Sequence, residues 1–305
     1  MNHKLLLTSA LFFVCFGLLL IFQSQNLGQL RIIACDVGQG DGILLISSSG
    51  KQILVDGGPG TKIADCLSQK MPFWDRTVEM VVLTHPERDH LEGLLEVLAR
   101  YKVKMIMTTG VVNDTELFRA WQKAIGDEGA KIYTPKAGDR LVIDSISGRT
   151  LSMDVLWPTS EKLAIWKIVP PTELNESSIV LKVNLGPSVF DPEAQTRRAD
   201  GFCAYLVGDI PRETLEKVLT GKCQVLKISH HGSKTGTNQA ILDSVDPKIA
   251  IIQVGKNSFG QPSKEVIDLL ESKGVNIYRN DLNSIIEIST NGKNLNVKSE
   301  RKINR

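Results

Sequence analysis

Several absences narrow the reading before any motif is considered. Cysteine is sparse: Cys15, Cys35, Cys66, Cys203 and Cys223 are odd in number, scattered and nowhere spaced as CxxC. They indicate neither a disulfide framework nor a zinc knuckle and read as packing residues. Aromatic residues make up 6% of the chain, which offers little stacking surface for a run of bases. No charge of one sign dominates. A formal net charge of +2 names no nucleic-acid or membrane-surface partner, so any polyanion substrate must be argued from a localised site. There is no tandem repeat and no low-complexity tract, while 42% hydrophobic and 23% charged residues are globular values that exclude a disordered or collagenous chain.

One long apolar run stands out. From Leu5 to Phe22, 15 of 18 residues are apolar and none is charged. As a helix that segment spans about 27 Å, roughly a hydrocarbon core. A cleavable signal peptide has a shorter apolar region followed by a small-x-small site, and Gln23-Ser24-Gln25-Asn26 provides none. The expectation is an uncleaved transmembrane anchor over residues 1–27 and one large extracytoplasmic domain over 28–305, with secretion as the outcome if the segment is cleaved. Lys4 favours an inside amino terminus only weakly, because Arg31 nearly matches it on the other side.

Beyond the anchor, apolar patterning predicts strands over Leu30–Cys35, Gly42–Ser47 and Lys51–Val55, broken by Asp36-Val37-Gly38-Gln39-Gly40-Asp41 and ended by Asp56-Gly57-Gly58. A short strand over Met80–Thr84 delivers His85. Leu91, Leu94, Leu95 and Leu98 recur at i, i+3, i+4 and i+7, which predicts a helix immediately behind a non-helical, proline-bent turn. Further strands are expected over Ser152–Leu156, Ile179–Leu185, Phe202–Val207, Val225–Ser229 and Lys248–Val254, near Ile277 and over Ser284–Ile288. Helices are expected over Glu116–Ala124, Asn238–Val245 and Lys264–Lys273, with Gly186–Gly201 as a long polar hairpin loop. The order implies a layered α/β protein with mixed sheets.

The chemistry concentrates at breaks after strands. Apart from His3, the histidines fall in two clusters: His85-Pro86-Glu87-Arg88-Asp89-His90 and Lys227-Ile228-Ser229-His230-His231-Gly232-Ser233. Imidazoles and carboxylates so closely spaced can converge on two adjacent ions. Between them Val207-Gly208-Asp209-Ile210 ends a buried strand with a carboxylate. Asp209 either caps a helix starting near Pro211 or bridges two metals.

Together with Leu54-Val55-Asp56-Gly57-Gly58 and Asn175-Glu176-Ser177-Ser178-Ile179-Val180, these motifs resemble the metallo-β-lactamase superfamily. Within it they resemble the hydrolase domain of the competence protein ComEC and its stand-alone relatives, from about Leu30 to Val297. The resemblance implies a four-layer αββα fold, two mixed β-sheets sandwiched between helices, behind the N-terminal transmembrane helix. It implies two divalent metal ions. His85 and Glu87 would hold one, Asp89, His90 and His230 the other, and Asp209 would bridge them. Asp89 and His231 are the candidate catalytic residues, His231 as an acid or phosphate contact. Asp41 and Asp56 would orient the histidines, and Ser233, Lys234, Asn257 and Gln261 would meet substrate. The loop carries Glu87 where much of the superfamily has histidine, a substitution usual in this branch, and Gln261 stands where the relatives usually read histidine. Glutamine can hydrogen-bond an oxyanion but cannot act as an acid.

The implied activity is phosphodiester hydrolysis linked to DNA uptake or processing. A cell-envelope phosphodiesterase and a metal-retaining binding module without turnover are the alternatives. Counting donors, oxygen-rich ligation favours Mn²⁺ over Zn²⁺. The implied partners are nucleic acid, single-stranded DNA first, or another phosphodiester, and the membrane. A separate membrane channel is a further partner if the chain serves uptake, since it contains one candidate span. The full-length protein is expected in the membrane fraction with its large domain cleaved by protease added to intact cells; protection of that domain would contradict this topology.

Overall fold

A computed structural model describes residues 29–146, 148–187 and 201–301. The expected N-terminal helix and nearly all of the Gly186–Gly201 loop lie outside the described residues. Among the described residues no helix is long and apolar enough to cross a membrane.

The first half of the chain runs β1 (Leu30–Ala34), β2 (Ile43–Ile46), β3 (Gln52–Val55), α1 (Lys62–Lys70), β4 (Thr77–Leu83), α2 (Arg88–Arg100), β5 (Lys102–Thr108), α3 (Glu116–Glu128) and β6 (Lys131–Tyr133). The second runs β7 (Arg140–Ile146), β8 (Arg149–Trp157), α4 (Ser160–Trp166), β9 (Val180–Pro187), β10 (Phe202–Leu206), α5 (Arg212–Val218), β11 (Val225–Lys227), α6 (Gln239–Val245), β12 (Ile249–Ile252), α7 (Lys264–Ser272) and β13 (Asn276–Arg279). The one-turn helix α8 (Asn280–Asn283) then leads to β14 (Ile286–Thr290) and β15 (Leu295–Ser299), which return to the first sheet.

The strands form two mixed sheets, ordered β15-β14-β1-β2-β3-β4-β5-β6 and β13-β12-β11-β10-β9-β8-β7. In each, a run of antiparallel hairpins passes into parallel strands linked by helices, the switch coming at β3–β4 and at β10–β11. Strand alternation builds the layers. Ile32, Ala34, Leu45 and Val55 face the other sheet and meet Met153, Leu181, Val183 and Ile251 in the inner core. Their neighbours Ile33, Leu44 and Leu54 face outward under α1, α2 and α3, where Leu67, Leu94 and Trp121 cover them. A third cluster seats α4 to α7 on the far face of the second sheet. Helices therefore flank two stacked sheets, as the resemblance implied. Each fully buried aliphatic side chain contributes roughly 1.5–3 kcal/mol, and β1, β2 and β3 bury nearly every side chain they carry.

Two sequence readings need correction. Helix α2 starts at Arg88, inside the His-rich segment. Asp89 and His90 therefore occupy its first turn, and only His85, Pro86 and Glu87 form the turn before it. Cysteine is also used differently from the packing role expected of it: Cys35 bonds Cys66 and Cys203 bonds Cys223. Spacing along the chain hides these pairs. Cys35 lies just past β1 and Cys66 sits in α1, which packs on that sheet, so their Cα atoms are 5.9 Å apart; those of Cys203 and Cys223 are 5.2 Å apart. Both separations suit a bond. Closing loops of this size stabilises a fold by about 3 kcal/mol each. Alkylation of denatured, unreduced protein should leave Cys35, Cys66, Cys203 and Cys223 unlabelled; labelling of any of them in most molecules would contradict the pairing.

Candidate metal centre

The ends of the parallel strands converge on one point. Beyond β3 comes Asp56, beyond β4 come His85 and Glu87, beyond β10 Asp209, and beyond β11 His230 and His231. Sites in open α/β sheets form at the carboxyl ends of strands. Glycines let α2 come close enough to supply Asp89 and His90. A Cβ on Gly40 would lie 2.2 Å from the Asp89 carbonyl oxygen and one on Gly57 2.5 Å from the Leu94 nitrogen. In their place the Asp41 N–H donates to Asp89 O at 3.1 Å and the Gly57 N–H to His90 O at 2.8 Å.

Ligand atoms of Asp89, His90, Asp209 and His231 all lie within 4.8 Å of one another. His231 Nε2 stands 3.1 Å from Asp209 Oδ2 and 3.2 Å from Asp89 Oδ2, and His90 Nε2 stands 3.5 Å from Asp209 Oδ2. Beside them His85 is fully buried, its ring centroid 4.1 Å from that of His90, with Nε2 3.8 Å from Glu87 Oε2.

The reverse edges of the imidazoles are fixed. His231 Nδ1 donates to the Gln253 carbonyl at 2.8 Å. His90 Nδ1 donates to Asp56 Oδ2 at 2.8 Å, and Asp56 also accepts the Thr84 N–H and hydroxyl at 2.8 and 2.7 Å. Because Thr84 gives its proton to Asp56, its oxygen is an acceptor for His85 Nδ1 at 3.1 Å, with Ser178 Oγ at 3.2 Å on the same nitrogen. All three rings thus turn Nε2 to the centre.

Electrostatics point the same way. Burial disfavours a charged His90 and a charged His231. Asp209, Asp56 and Asp89 around the first, and Asp209, Asp41 and Asp89 around the second, nonetheless hold both well above the ordinary imidazole value. Burial likewise opposes ionisation of Asp209, yet His231, Lys227 and His90 hold it well below the carboxylate range. Asp89 and Asp41 are also lowered, against burial, Asp89 by His90 and His231 and Asp41 chiefly by Lys227.

The residues fit a divalent metal on an observation independent of charge. Among the described residues, His85 Nε2 and His90 Nε2 are buried without a hydrogen-bond partner, and an unsatisfied buried polar atom costs roughly 1–3 kcal/mol. Three nitrogens and several carboxylate oxygens facing one another form a donor set suited to a first-row divalent ion.

The site residues expected from sequence fall into three groups. Asp41, Asp56, His85, Asp89, His90, Asp209 and His231 are brought together, with Glu87 at the rim. Asp209 does not cap α5, whose N-cap is Pro211. His230 is half-buried, its ring centroid 6.1 Å from that of His231, and it is His231 whose Nε2 joins the four-residue cluster. Burial pushes His230 below the ordinary imidazole value. Ser233 and Lys234 follow on the outer side, Ser233 half-buried and Lys234 exposed. Asn257 folds its amide into its own loop, donating to Gly255 O at 2.9 Å and Gln261 O at 2.8 Å and accepting from the Phe259 and Gln261 N–H groups at 3.0 and 3.2 Å. Gln261 Oε1 accepts from Gln39 Nε2 at 2.7 Å.

Sequence reasoning missed Thr84, Ser178, Lys227 and Gln253. Lys227 carried a signal, a lysine within the apolar run Val225-Leu226-Lys227-Ile228. The others contribute a hydroxyl or a carbonyl, which no spacing rule marks.

No family model matches the chain. Among curated proteins it is 27% identical over 275 residues to ComE operon protein 3 of Bacillus subtilis, covering 83% of this chain and 32% of that protein. It is 26% identical over 265 residues to Recombination protein 2 of Haemophilus influenzae, covering 84% and 28%. The chain spans about a third of the length of these relatives. A solved structure of a CmlA β-hydroxylase mutant superposes with a TM-score of 0.50 at 14% identity, covering 85% of this chain and 53% of that one. That likeness concerns the fold. If the ring facing Asp89 and Asp209 is the ligand, His231→Ala should lower bound metal at least about tenfold, roughly 1.4 kcal/mol, while His230→Ala changes it less than threefold. The reverse ranking by elemental analysis of the purified variants would assign the ligand to His230.

Proposed function

We propose that this chain, which resembles the metallo-β-lactamase superfamily and its competence-protein branch, is a dinuclear metal-dependent phosphodiesterase whose substrate is nucleic acid, single-stranded DNA foremost. The carrying observation is the convergence of Asp89, His90, Asp209 and His231 within 4.8 Å beside the orphaned His85 Nε2. His90, His231, Asp89 and Asp209 would hold one ion, and His85, Glu87 and Asp209 the other. His231 thus takes the ligand position first expected of His230. Divalent ions at these positions supply Lewis acidity toward a phosphoryl oxygen and make water a competent nucleophile near neutral pH.

The chain's own residues prepare that chemistry. Asp56, Gln253 and the Thr84 and Ser178 hydroxyls hold the three rings so that no reorganisation is needed when substrate arrives. Asp89 offers its carboxylate from the first turn of α2, half-exposed and deprotonated, on the solvent side of the cluster. His230 is the imidazole left free to meet substrate. Ser233 and Lys234, three and four residues further on, offer a hydroxyl and a cation to a phosphate. Asn257 is occupied inside its own loop and Gln261 is joined to Gln39, and Gln261 supplies no acid.

The proposed setting is the outer face of the membrane, with 1–27 as anchor and 28–305 as the hydrolase domain. Two disulfides support an oxidising compartment.

The test is turnover of single-stranded DNA and of a small phosphodiester by the metal-reconstituted protein. Both should be cleaved, Mn²⁺ should serve better than Zn²⁺, and Asp209→Ala should abolish cleavage and lower metal content. Activity within about tenfold of wild type in that variant, roughly 1.4 kcal/mol in the barrier, would remove Asp209 from the centre. Cleavage of the small ester alone would favour an envelope substrate, and metal uptake without turnover a binding module. Glu87→His should move the preference toward Zn²⁺; no movement would show that Glu87 does not ligate.

A further inference from the structure

Lys227 ends β11 with only 1% of its surface exposed, in a strand whose other residues, Val225 and Leu226, are apolar. The proposed reaction gives it no task. Its ammonium nevertheless has a complete set of partners: Nζ donates to the Gly208 carbonyl at 2.8 Å, to Asp209 Oδ1 at 3.2 Å and to Asp41 Oδ2. Three acceptors match its three N–H bonds. The consequence for Asp209 is a division of labour between its oxygens. Oδ1 is held by Lys227, and Oδ2 is the one turned to His231 Nε2 at 3.1 Å and His90 Nε2 at 3.5 Å. Asp41 is divided in the same way. Its Oδ2 meets Lys227 while Oδ1 stands 3.4 Å from His231 Nδ1 without a hydrogen bond among the described residues.

We infer that Lys227 is a permanent cation built into this site, balancing Asp41 and sharing Asp209 with the His90 and His231 imidazoles before any ion arrives, and fixing Asp209 so that Oδ2 is the oxygen presented to metal. The inference rests on reading the cluster as a metal centre. Two buried carboxylates facing the same pocket repel each other across a medium that screens poorly, and the Lys227 ammonium stands against both. Lysine delivers its charge from the opposite side to the imidazoles, so loading need not displace it. An apolar residue in its place would leave Asp41 Oδ2 without its cation and Asp209 with the imidazoles alone. Lys227 is therefore a positioning residue that acts through Asp209 and Asp41.

The test separates charge balance from packing. Lys227→Met keeps an unbranched side chain, one atom shorter, and removes its charge. Melting is followed for the metal-free protein and for protein saturated with Mn²⁺. The metal-free variant should melt lower than wild type by roughly 5 °C or more, and the rise in melting temperature on adding Mn²⁺ should exceed that of wild type, because the ion takes over the missing charge. In the double variant Lys227→Met with Asp41→Asn, one carboxylate is neutralised together with the lysine, and at least half of the lost metal-free stability should return. This arm carries the test if Lys227→Met alone does not fold. An equal loss with and without Mn²⁺, or a double variant no more stable than the single, would reduce Lys227 to a packing residue and overturn the inference. A wild-type protein whose melting is indifferent to Mn²⁺ would instead count against the metal centre, and the double variant would still decide the role of Lys227.

Discussion

Burying carboxylates side by side is the constraint on which this structure turns. Asp41, Asp56 and Asp209 are 3%, 0% and 2% exposed, and Asp89 stands over them half-buried. Taking an ion out of water costs several kcal/mol even after relaxation. Such a group persists only where cations and N–H donors surround it. Here the surroundings are supplied from both sides. Lys227, the Thr84 N–H and the Thr84 hydroxyl lie behind the carboxylates, and the imidazoles of His90 and His231 lie in front. In front the charge can be exchanged, because imidazoles can give up protons to a metal. Behind, it is permanent.

The rest of the fold serves that arrangement. Two mixed sheets, each passing from antiparallel to parallel strands, bring the ends of β3, β4, β10 and β11 together at the site. The inner core of Ile32, Leu45, Met153 and Leu181 holds the sheets in register. The site inherits its rigidity from β-strands and from a helix clamped by backbone hydrogen bonds to Asp41 and Gly57. Left-handed backbone at Asp56, with φ near 59°, and at His230 and His231, with φ of 50° and 53°, is uncommon for residues other than glycine. It turns the chain sharply where strands end, aiming Asp56 at His90 and separating the directions of the two adjacent histidines.

How much of this was legible in the sequence follows from what kind of signal each feature leaves. The strands of the central core were readable, because a buried strand is a short apolar run bounded by Asp and Gly. β10, expected over Phe202–Val207, runs Phe202–Leu206. Strands β5, β6, β7 and β15 were given no bounds. Lys102, Lys104, Lys131 and Arg140 interrupt the apolar pattern of the first three with charges that face solvent at the outer parts of the sheets. That these side chains would gather was legible because His and Asp in a six-residue segment have few other uses. Their partition was not. Nothing in His230-His231 says which ring turns inward, since that depends on backbone torsions, and His231 rather than His230 proved to face Asp209. The disulfides were invisible for a related reason: contact between the end of β1 and α1 is a property of packing and not of spacing. Thr84 and Ser178 orient His85 through single hydroxyls, and hydroxyls at strand ends are too common to mark.

The proposed function requires that these carboxylates and imidazoles form a two-ion centre with Asp209 between the ions. The most direct measurement is anomalous diffraction from crystals of the metal-free protein soaked in Mn²⁺. Two peaks are predicted, one bounded by Asp89, His90, Asp209 and His231 and one by His85, Glu87 and Asp209, with Lys227 still in contact with Asp209 Oδ1. No peak in this pocket, or a peak whose nearest imidazole is His230 with His231 turned away, would contradict it.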